Sequence, residues 1–227
     1  MIEAVIFDMD GLLVDSEPVW CLARKDLLEG HGKVWTDADQ LAMAGVHTQV
    51  WVDAVGDKLE GRLSPEQVLD EILDRMERFY ANGDVAVLTG ADEALEVCAG
   101  RYRVGLASGS PRRLIDAALR GAGWATHFEN LISGDELEHG KPDPDIYLEI
   151  MQRMNLDAVS TAVVEDSGAG IRAGKAAGTK VIAVPNPHTI PSPGVLALAD
   201  ACIDSLYHLP RALGDLSARA ERSESLI

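Results

Sequence analysis

The sequence is short of cysteine, of aromatic residues, of basic charge and of long apolar runs, and each shortage removes a class of protein. Its three cysteines, Cys21, Cys98 and Cys202, are odd in number and scattered. That spacing excludes a disulfide framework and suits free thiols in a reducing cytoplasm. Six histidines show no clustered His/Cys spacing, so a zinc site is not expected. No uninterrupted apolar run reaches the roughly 18 residues of a membrane span. The amino terminus enters a strand-like segment at once, without a basic stretch ahead of a long apolar core, so no secretory signal is expected. Against 37 acidic residues stand only 20 basic ones, a formal net charge of −17. Nucleic acid and anionic membranes are held largely by Lys and Arg, so neither is expected as a partner. There is no internal repeat and no low-complexity segment.

What remains is a chain of 227 residues with 47% hydrophobic content. That suffices for one α/β domain carrying an insertion, or for two modest domains. The opening run Ile2 to Phe7 is too short for a helix, and its near-continuous apolarity suits a strand covered on both faces. Asp8 and Asp10 follow directly. Alternate residues of an extended segment point the same way, and Gly11 permits a tight turn, so both carboxylates can converge on one small volume. Ligands of open parallel sheets collect outside the carboxyl ends of the strands. The plainer reading is a polar turn in which Asp caps its own backbone.

From residue 16 to about 84 the pattern is helical. Val19 to Leu28 and Thr48 to Leu59 are two candidate helices. Ser64-Pro65-Glu66-Gln67 supplies a third helix start, ahead of Val68, Leu69, Ile72, Leu73, Met76 and Phe79. From about residue 85 strands and helices alternate. Strands are expected at 103–107, 130–133, 161–164 and 180–184, with helices at 111–119, 143–154 and 169–177. Such alternation is the signature of βαβ units on a parallel sheet. The first strand belongs with them, which makes residues 1–15 and 85–227 a discontinuous core and residues 16–84 a helical insertion placed just after the two aspartates. The tail from Ala218 to Ile227 is expected to be poorly anchored.

Each core strand ends in residues that carry chemistry. Ser108-Gly109-Ser110 offers a hydroxyl and a flexible turn at a helix start, a ready anion site, with Ser110 expected to serve as an ordinary helix cap. Lys141 lies in Gly140-Lys141-Pro142-Asp143-Pro144-Asp145, where two prolines stiffen the turn and fix where the ammonium points. Glu165-Asp166 is a second acidic pair at a strand end, although Asp166 could also cap the following helix. Two such pairs make an oxygen-rich pocket suited to a hard cation such as Mg²⁺.

In their order and wording these segments resemble the four motifs of the haloacid dehalogenase-like superfamily. The matching stretches are Phe-Asp-Met-Asp-Gly-Leu-Leu-Val-Asp-Ser-Glu, Ala-Ser-Gly-Ser, Gly-Lys-Pro-Asp-Pro-Asp-Ile-Tyr and Val-Glu-Asp-Ser-Gly-Ala-Gly-Ile-Arg-Ala-Gly. The nearest likeness is to its β-phosphoglucomutase and sugar-phosphate phosphatase group. The resemblance implies a Rossmann-like parallel-sheet core with an inserted α-helical cap domain, and a phosphatase that works on a small phosphate ester, a sugar phosphate above all, as a cytoplasmic monomer. It implies that Asp8 is the nucleophile forming an aspartyl-phosphate and that Asp10 is the general acid and base. It further implies that Asp8, Asp10 through its main-chain carbonyl, Glu165 and Asp166 serve Mg²⁺, and that Ser108, Gly109 and Lys141 hold the phosphoryl group. A sugar phosphomutase is the alternative. Glu17 and His47, in the cap, are candidates for substrate specificity.

Overall fold

The computed structural model describes residues 1–43, 48–187 and 190–224, without the side chains of 220–224. It forms two compact units, one of residues 1–15 and 87–227 and one of residues 16–86. The larger unit is built on strands β1 (Ala4–Phe7) and β2 (Val14–Asp15) before the chain leaves it. The smaller unit holds helices α1 (Glu17–Gly30), α2 (Asp37–Ala42), α3 (Thr48–Lys58) and α4 (Pro65–Asn82). The chain returns through β3 (Ala86–Val87), which pairs with β2 as a separate two-stranded sheet. Then come α5 (Ala91–Ala99), β4 (Arg103–Ser108), α6 (Arg112–Ala122), β5 (Asn130–Ser133), α7 (Asp145–Arg153) and β6 (Thr161–Glu165). The last elements are α8 (Gly168–Ala176), β7 (Lys180–Ala183), α9 (Pro193–Leu196), β8 (Ala201–Cys202) and α10 (Leu209–Glu224).

Six strands form one parallel sheet in the order β5-β4-β1-β6-β7-β8. β1 is central and completely buried, as its unbroken apolarity requires. Phe7 is level with Leu106 of β4 and with Val164 of β6, so the carboxyl ends of these three strands come out side by side. Successive strands run outward in both directions from β1, and ligands of such sheets bind at that reversal. On one face Ile6, Ala107, Ile132 and Val163 pack with Ile146, Tyr147, Ile150 and Met151 of α7 and with Ile171 and Ala173 of α8. Each such large side chain taken from water contributes about 1.5–3 kcal/mol.

The helical unit follows its sequence signals. Ser64 and Gln67 form a reciprocal capping box at α4, with Pro65 at its first turn and Gly83 closing it in the left-handed conformation at φ 77°. The buried face of α4 is Val68, Ile72, Leu73, Met76 and Tyr80, packed on α1 and α3. One element goes beyond the sequence pattern. The stretch after α1 holds a further helix, α2, started by a Thr36–Asp39 capping box although none of its residues is buried. In the tail, α10 continues past Ala218 to Glu224, beyond its last buried residues Leu209, Ala212, Leu213 and Leu216. Residues 225–227 of that tail lie outside the described residues. Among the described residues no helix is long and apolar enough to cross a membrane.

Candidate active site

The chain turns sharply after β1. Leu13 N and Val14 N both donate to Met9 O, at 2.9 and 3.1 Å, and Gly11 N donates to Val14 O at 2.8 Å. Gly11 sits at φ 82°, where side chains are strained, and a Cβ there would lie 2.3 Å from Asp166 Oδ2. Glycine is thus what lets the ends of β1 and β6 approach. Asn186, buried after β7, donates from Nδ2 to Gly11 O at 2.9 Å and pins the same turn.

Around this turn one ammonium faces three carboxylates. Lys141 Nζ donates to Asp8 Oδ1 at 2.6 Å, to Glu165 Oε1 at 2.6 Å and to Ala107 O at 3.1 Å, which uses all three of its hydrogens. Tyr147 OH donates to the same Glu165 Oε1 at 2.6 Å, while Ser167 donates to Oε2 through Oγ at 2.9 Å and through its backbone N at 3.2 Å. Gly170 makes room for this carboxylate, since a Cβ there would fall 1.8 Å from its Cδ and Oε1. Asp8, Glu165 and Asp166 are all buried and can bring one oxygen each within 4.8 Å of one another. Asp166 Oδ1 is buried without a hydrogen-bond partner among the described residues.

The electrostatics register the crowding. Burial pushes Asp8 up from 3.8 to about 7; Lys141 opposes the rise and Glu165 and Asp10 add to it. Burial likewise pushes Asp166 up from 3.8 to about 9, reinforced by Glu165 and Asp8 and opposed by Lys141. For Lys141, burial works against the charge, but Asp8 and Glu165 outweigh it and hold the ammonium well above its usual value. Buried carboxylates with an unpartnered oxygen and a single nearby ammonium form a hard, anionic donor set. The residues present therefore fit a hard divalent cation.

Asp10 belongs to the opposite side of the turn. Its Oδ2 accepts from Ser108 Oγ at 3.0 Å and from Ser110 Oγ at 2.7 Å, and Ser108 Oγ accepts from Ser110 N at 3.0 Å. Gly109 is exposed between these two buried serines. Ser110 therefore does not cap α6, whose start at Pro111 has no side-chain cap; its hydroxyl is spent on Asp10. Nor is Asp166 a cap: Ser167 caps α8 by accepting from Gly170 N at 3.0 Å. The reading of Asp8 and Asp10 as a self-capping turn also gives way, because their carboxylates bond to groups about a hundred residues distant.

In the helical unit, Glu17 opens α1 and accepts from Gln40 Nε2 at 3.2 Å. Gln40 Oε1 accepts in turn from Arg24 Nη1 at 3.1 Å and Trp35 Nε1 at 3.0 Å. The Arg24 guanidinium lies 5.2 and 5.3 Å from the ring centres of Trp20 and Trp51, so these aromatics are engaged with a buried cation. His47 lies outside the described residues.

Sequence reasoning passed over Tyr147, Ser167 and Asn186. Tyr147 was in view, six residues after Lys141, but a tyrosine on an apolar helix face reads as core. Only the packing of α7 on the sheet shows where its hydroxyl ends. Ser167 has the look of a helix cap, which it is, and the Glu165 bond is a second use of the same hydroxyl.

Comparison with known proteins agrees with this geometry. Residues 2–178 match the model of the haloacid dehalogenase-like hydrolases. A phosphorylated carbohydrates phosphatase of Thermotoga maritima is 34% identical over 181 residues, which cover 79% of this chain and 83% of the relative. Hexitol phosphatase B of Escherichia coli K12 is 32% identical over 213 residues, covering 91% and 93%. Among solved structures, one from Thermotoga maritima, provisionally named β-phosphoglucomutase, superposes with a TM-score of 0.76 at 31% identity, covering 96% of this chain and 99% of that one. With the motif residues gathered at the ends of β1, β4 and β6, this chain belongs to the haloacid dehalogenase-like hydrolases.

Proposed function

We propose that the chain is a Mg²⁺-dependent phosphatase of small phosphorylated metabolites, sugar or polyol phosphates above all, acting through an aspartyl-phosphate in the cytoplasm. The observation that carries the reading is the ammonium of Lys141, 2.6 Å from Asp8 on one side and 2.6 Å from Glu165 on the other, at the carboxyl end of the central strand. A carboxylate can attack a phosphate only where positive charge offsets the mutual repulsion, and the same charge stabilises the transition state. The phosphatase names of the relatives from Thermotoga and Escherichia support the substrate class.

In this mechanism a carboxylate oxygen of Asp8 attacks phosphorus, and the bond from phosphorus to the ester oxygen breaks. Asp10, aimed by Ser108 and Ser110, protonates the departing alkoxide. The same Asp10 then takes a proton from the water that attacks the aspartyl-phosphate and releases inorganic phosphate. Lys141 fixes Asp8 and meets the charge of the transferring group, and Gly109, open between the serines, gives that group access to backbone. Asp8, Asp166 and the Asp10 carbonyl would hold Mg²⁺, which supplies Lewis-acid charge neutralisation when bound. Glu17 and His47 are proposed as contributors to the choice of leaving group.

A sugar phosphomutase is the second reading, favoured by the 31% identity to the provisionally named β-phosphoglucomutase. Phosphate release and isomer formation are to be measured together over a panel of sugar phosphates, with Mg²⁺ or with EDTA and with Asp8→Asn as control. Mg²⁺-dependent phosphate release that Asp8→Asn abolishes is expected. Isomer without net phosphate would replace the phosphatase by the mutase, and turnover that survives EDTA and Asp8→Asn would sink both.

A further inference from the structure

Glu165 is engaged on every side. A carboxylate offers about four lone-pair sites, and in Glu165 these meet Lys141 and Tyr147 on Oε1 and the two Ser167 donors on Oε2. Its neighbour Asp166 has a buried oxygen with no partner among the described residues. Without a cation the two acids of one pair therefore differ: both oxygens of Glu165 meet protein donors, and one oxygen of Asp166 does not. Tyr147 is what completes Glu165. The ring is fully buried in the core between sheet and α7, and its hydroxyl sits 2.6 Å from the oxygen that also takes Lys141. The same ring lies 5.1 Å from Lys141 Nζ, so it meets the lysine at its face and through the shared carboxylate.

We propose that Tyr147 is a positioning residue for the reaction: by sharing Glu165 Oε1 with Lys141, its hydroxyl keeps the lysine bridged between Glu165 and Asp8. A lysine has a flexible four-carbon stem and no fixed fork, so its head goes where its acceptors hold it. With the Tyr147 donor removed, Glu165 Oε1 has a single donor left. The ion pair with Lys141 tightens, Nζ is drawn toward Glu165, and the Asp8 contact lengthens. Phenylalanine would fill the core equally well, so the hydroxyl is the part that acts on the site. This inference rests on the phosphatase reading for its kinetic consequence but not for its geometry.

The test compares the full chain with Tyr147→Phe in two ways. In steady-state hydrolysis of p-nitrophenyl phosphate with saturating Mg²⁺, kcat is expected to fall about tenfold with KM within about twofold, as loss of one charge-assisted hydrogen bond acting on the chemical step requires. In crystal structures of the two proteins, the Lys141 Nζ to Asp8 separation is expected to lengthen past about 3.5 Å while the Glu165 contact stays. An unchanged kcat, a fall explained wholly by a smaller folded fraction, or an unmoved lysine overturns the proposal. If Tyr147→Phe does not fold, Tyr147→Met, which also removes the hydroxyl while filling the core, is compared in the same two ways, and an unchanged kcat or an unmoved lysine overturns the proposal. If the unmodified chain shows no Mg²⁺-dependent turnover, the phosphatase reading fails by itself, and the crystallographic comparison still decides the role of Tyr147.

Discussion

Replacing Asp8, the proposed nucleophile, should make the metal-free protein more stable. Asp8 and Glu165 share the Lys141 ammonium with Asp166 close by, and the Asp8 carboxyl is raised from 3.8 to about 7. A group whose folded pKa lies above its unfolded value binds more protons in the native state, so stability falls as pH rises between the two values. Above about pH 7 the ionised form of Asp8 therefore works against folding, by roughly three pKa units, or on the order of 4 kcal/mol at 1.4 kcal/mol per unit. Asparagine removes that charge at nearly constant shape, but its second amide hydrogen needs an acceptor, at about 1 kcal/mol. The net gain for Asp8→Asn at pH 8 in EDTA is then about 3 kcal/mol, or a Tm about 6–12 °C higher for a chain of this length. Near pH 5 wild-type Asp8 is already mostly protonated in the fold, and the difference shrinks to within about 1 kcal/mol. Saturating Mg²⁺ should raise the Tm of the wild type far more than that of the variant and close the gap, since the cation meets the charge that the substitution deletes. Thermal unfolding by circular dichroism at pH 5, 6.5 and 8, with EDTA or Mg²⁺, reads all of this. A variant less stable than wild type in EDTA at pH 8, or a gap independent of pH, would refute the reasoning.

Gly170→Ala should be among the most damaging small substitutions, because its Cβ would sit 1.8 Å from the Glu165 carboxyl and evict it from Lys141, Tyr147 and Ser167. A loss of about 3–5 kcal/mol by urea unfolding is expected from breaking a buried charged network, and a loss below about 1 kcal/mol would mean that Glu165 has another place to go. Ser108→Ala should cost more of kcat than Ser110→Ala, since Ser108 Oγ both donates to Asp10 and accepts from Ser110 N, whereas Ser110 Oγ only donates; steady-state kinetics showing the reverse order would contradict the arrangement. In the helical unit, Ser64→Ala removes the α4 capping box and should lower stability by about 1 kcal/mol in the same urea assay with no change in kcat.

Those elements that end in the site were the readable ones. β1, β4, β5 and β6 each combine a short apolar run with a polar turn; the limits of β4, β5 and β6 fall within a residue of the pattern, and β1 begins two residues later than its apolar run. α2 was not readable from apolar periodicity, because it buries nothing and exists by virtue of its cap. β8 is two residues long at a sheet edge, where pairing with β7 decides and local composition does not. α10 continues past Leu216 on Ala, Arg and Glu, residues that favour helix without marking a buried face. In the site, Asp8, Asp10 and Asp166 could be picked out as carboxylates at strand ends, costly unless used, and Lys141 by the proline-stiffened turn that holds it ahead of α7. Ser110, Tyr147 and Asn186 could not, since each has an ordinary local explanation that only three-dimensional register removes.

The same register explains how four acids coexist at the centre of a chain with a net charge of −17. Asp10 is met by two hydroxyls, and Glu165 by an ammonium, a phenol and a serine. Asp8 shares the ammonium, and Asp166 keeps one buried oxygen unmet. The carboxyls least matched by protein donors are thus Asp8 and Asp166, both pushed toward the protonated form when no cation is present, on the side of the turn that Gly11 opens by having no Cβ. A cation held there would turn a local surplus of negative charge toward neutrality just where an anionic ester has to approach, which no amount of distant surface charge could accomplish through about 8–10 Å of screening. Asp10 accepts instead from the hydroxyls of Ser108 and Ser110, an arrangement that suits the acid and base role proposed for it. Two aspartates one residue apart are given unequal work by what their neighbours donate to them.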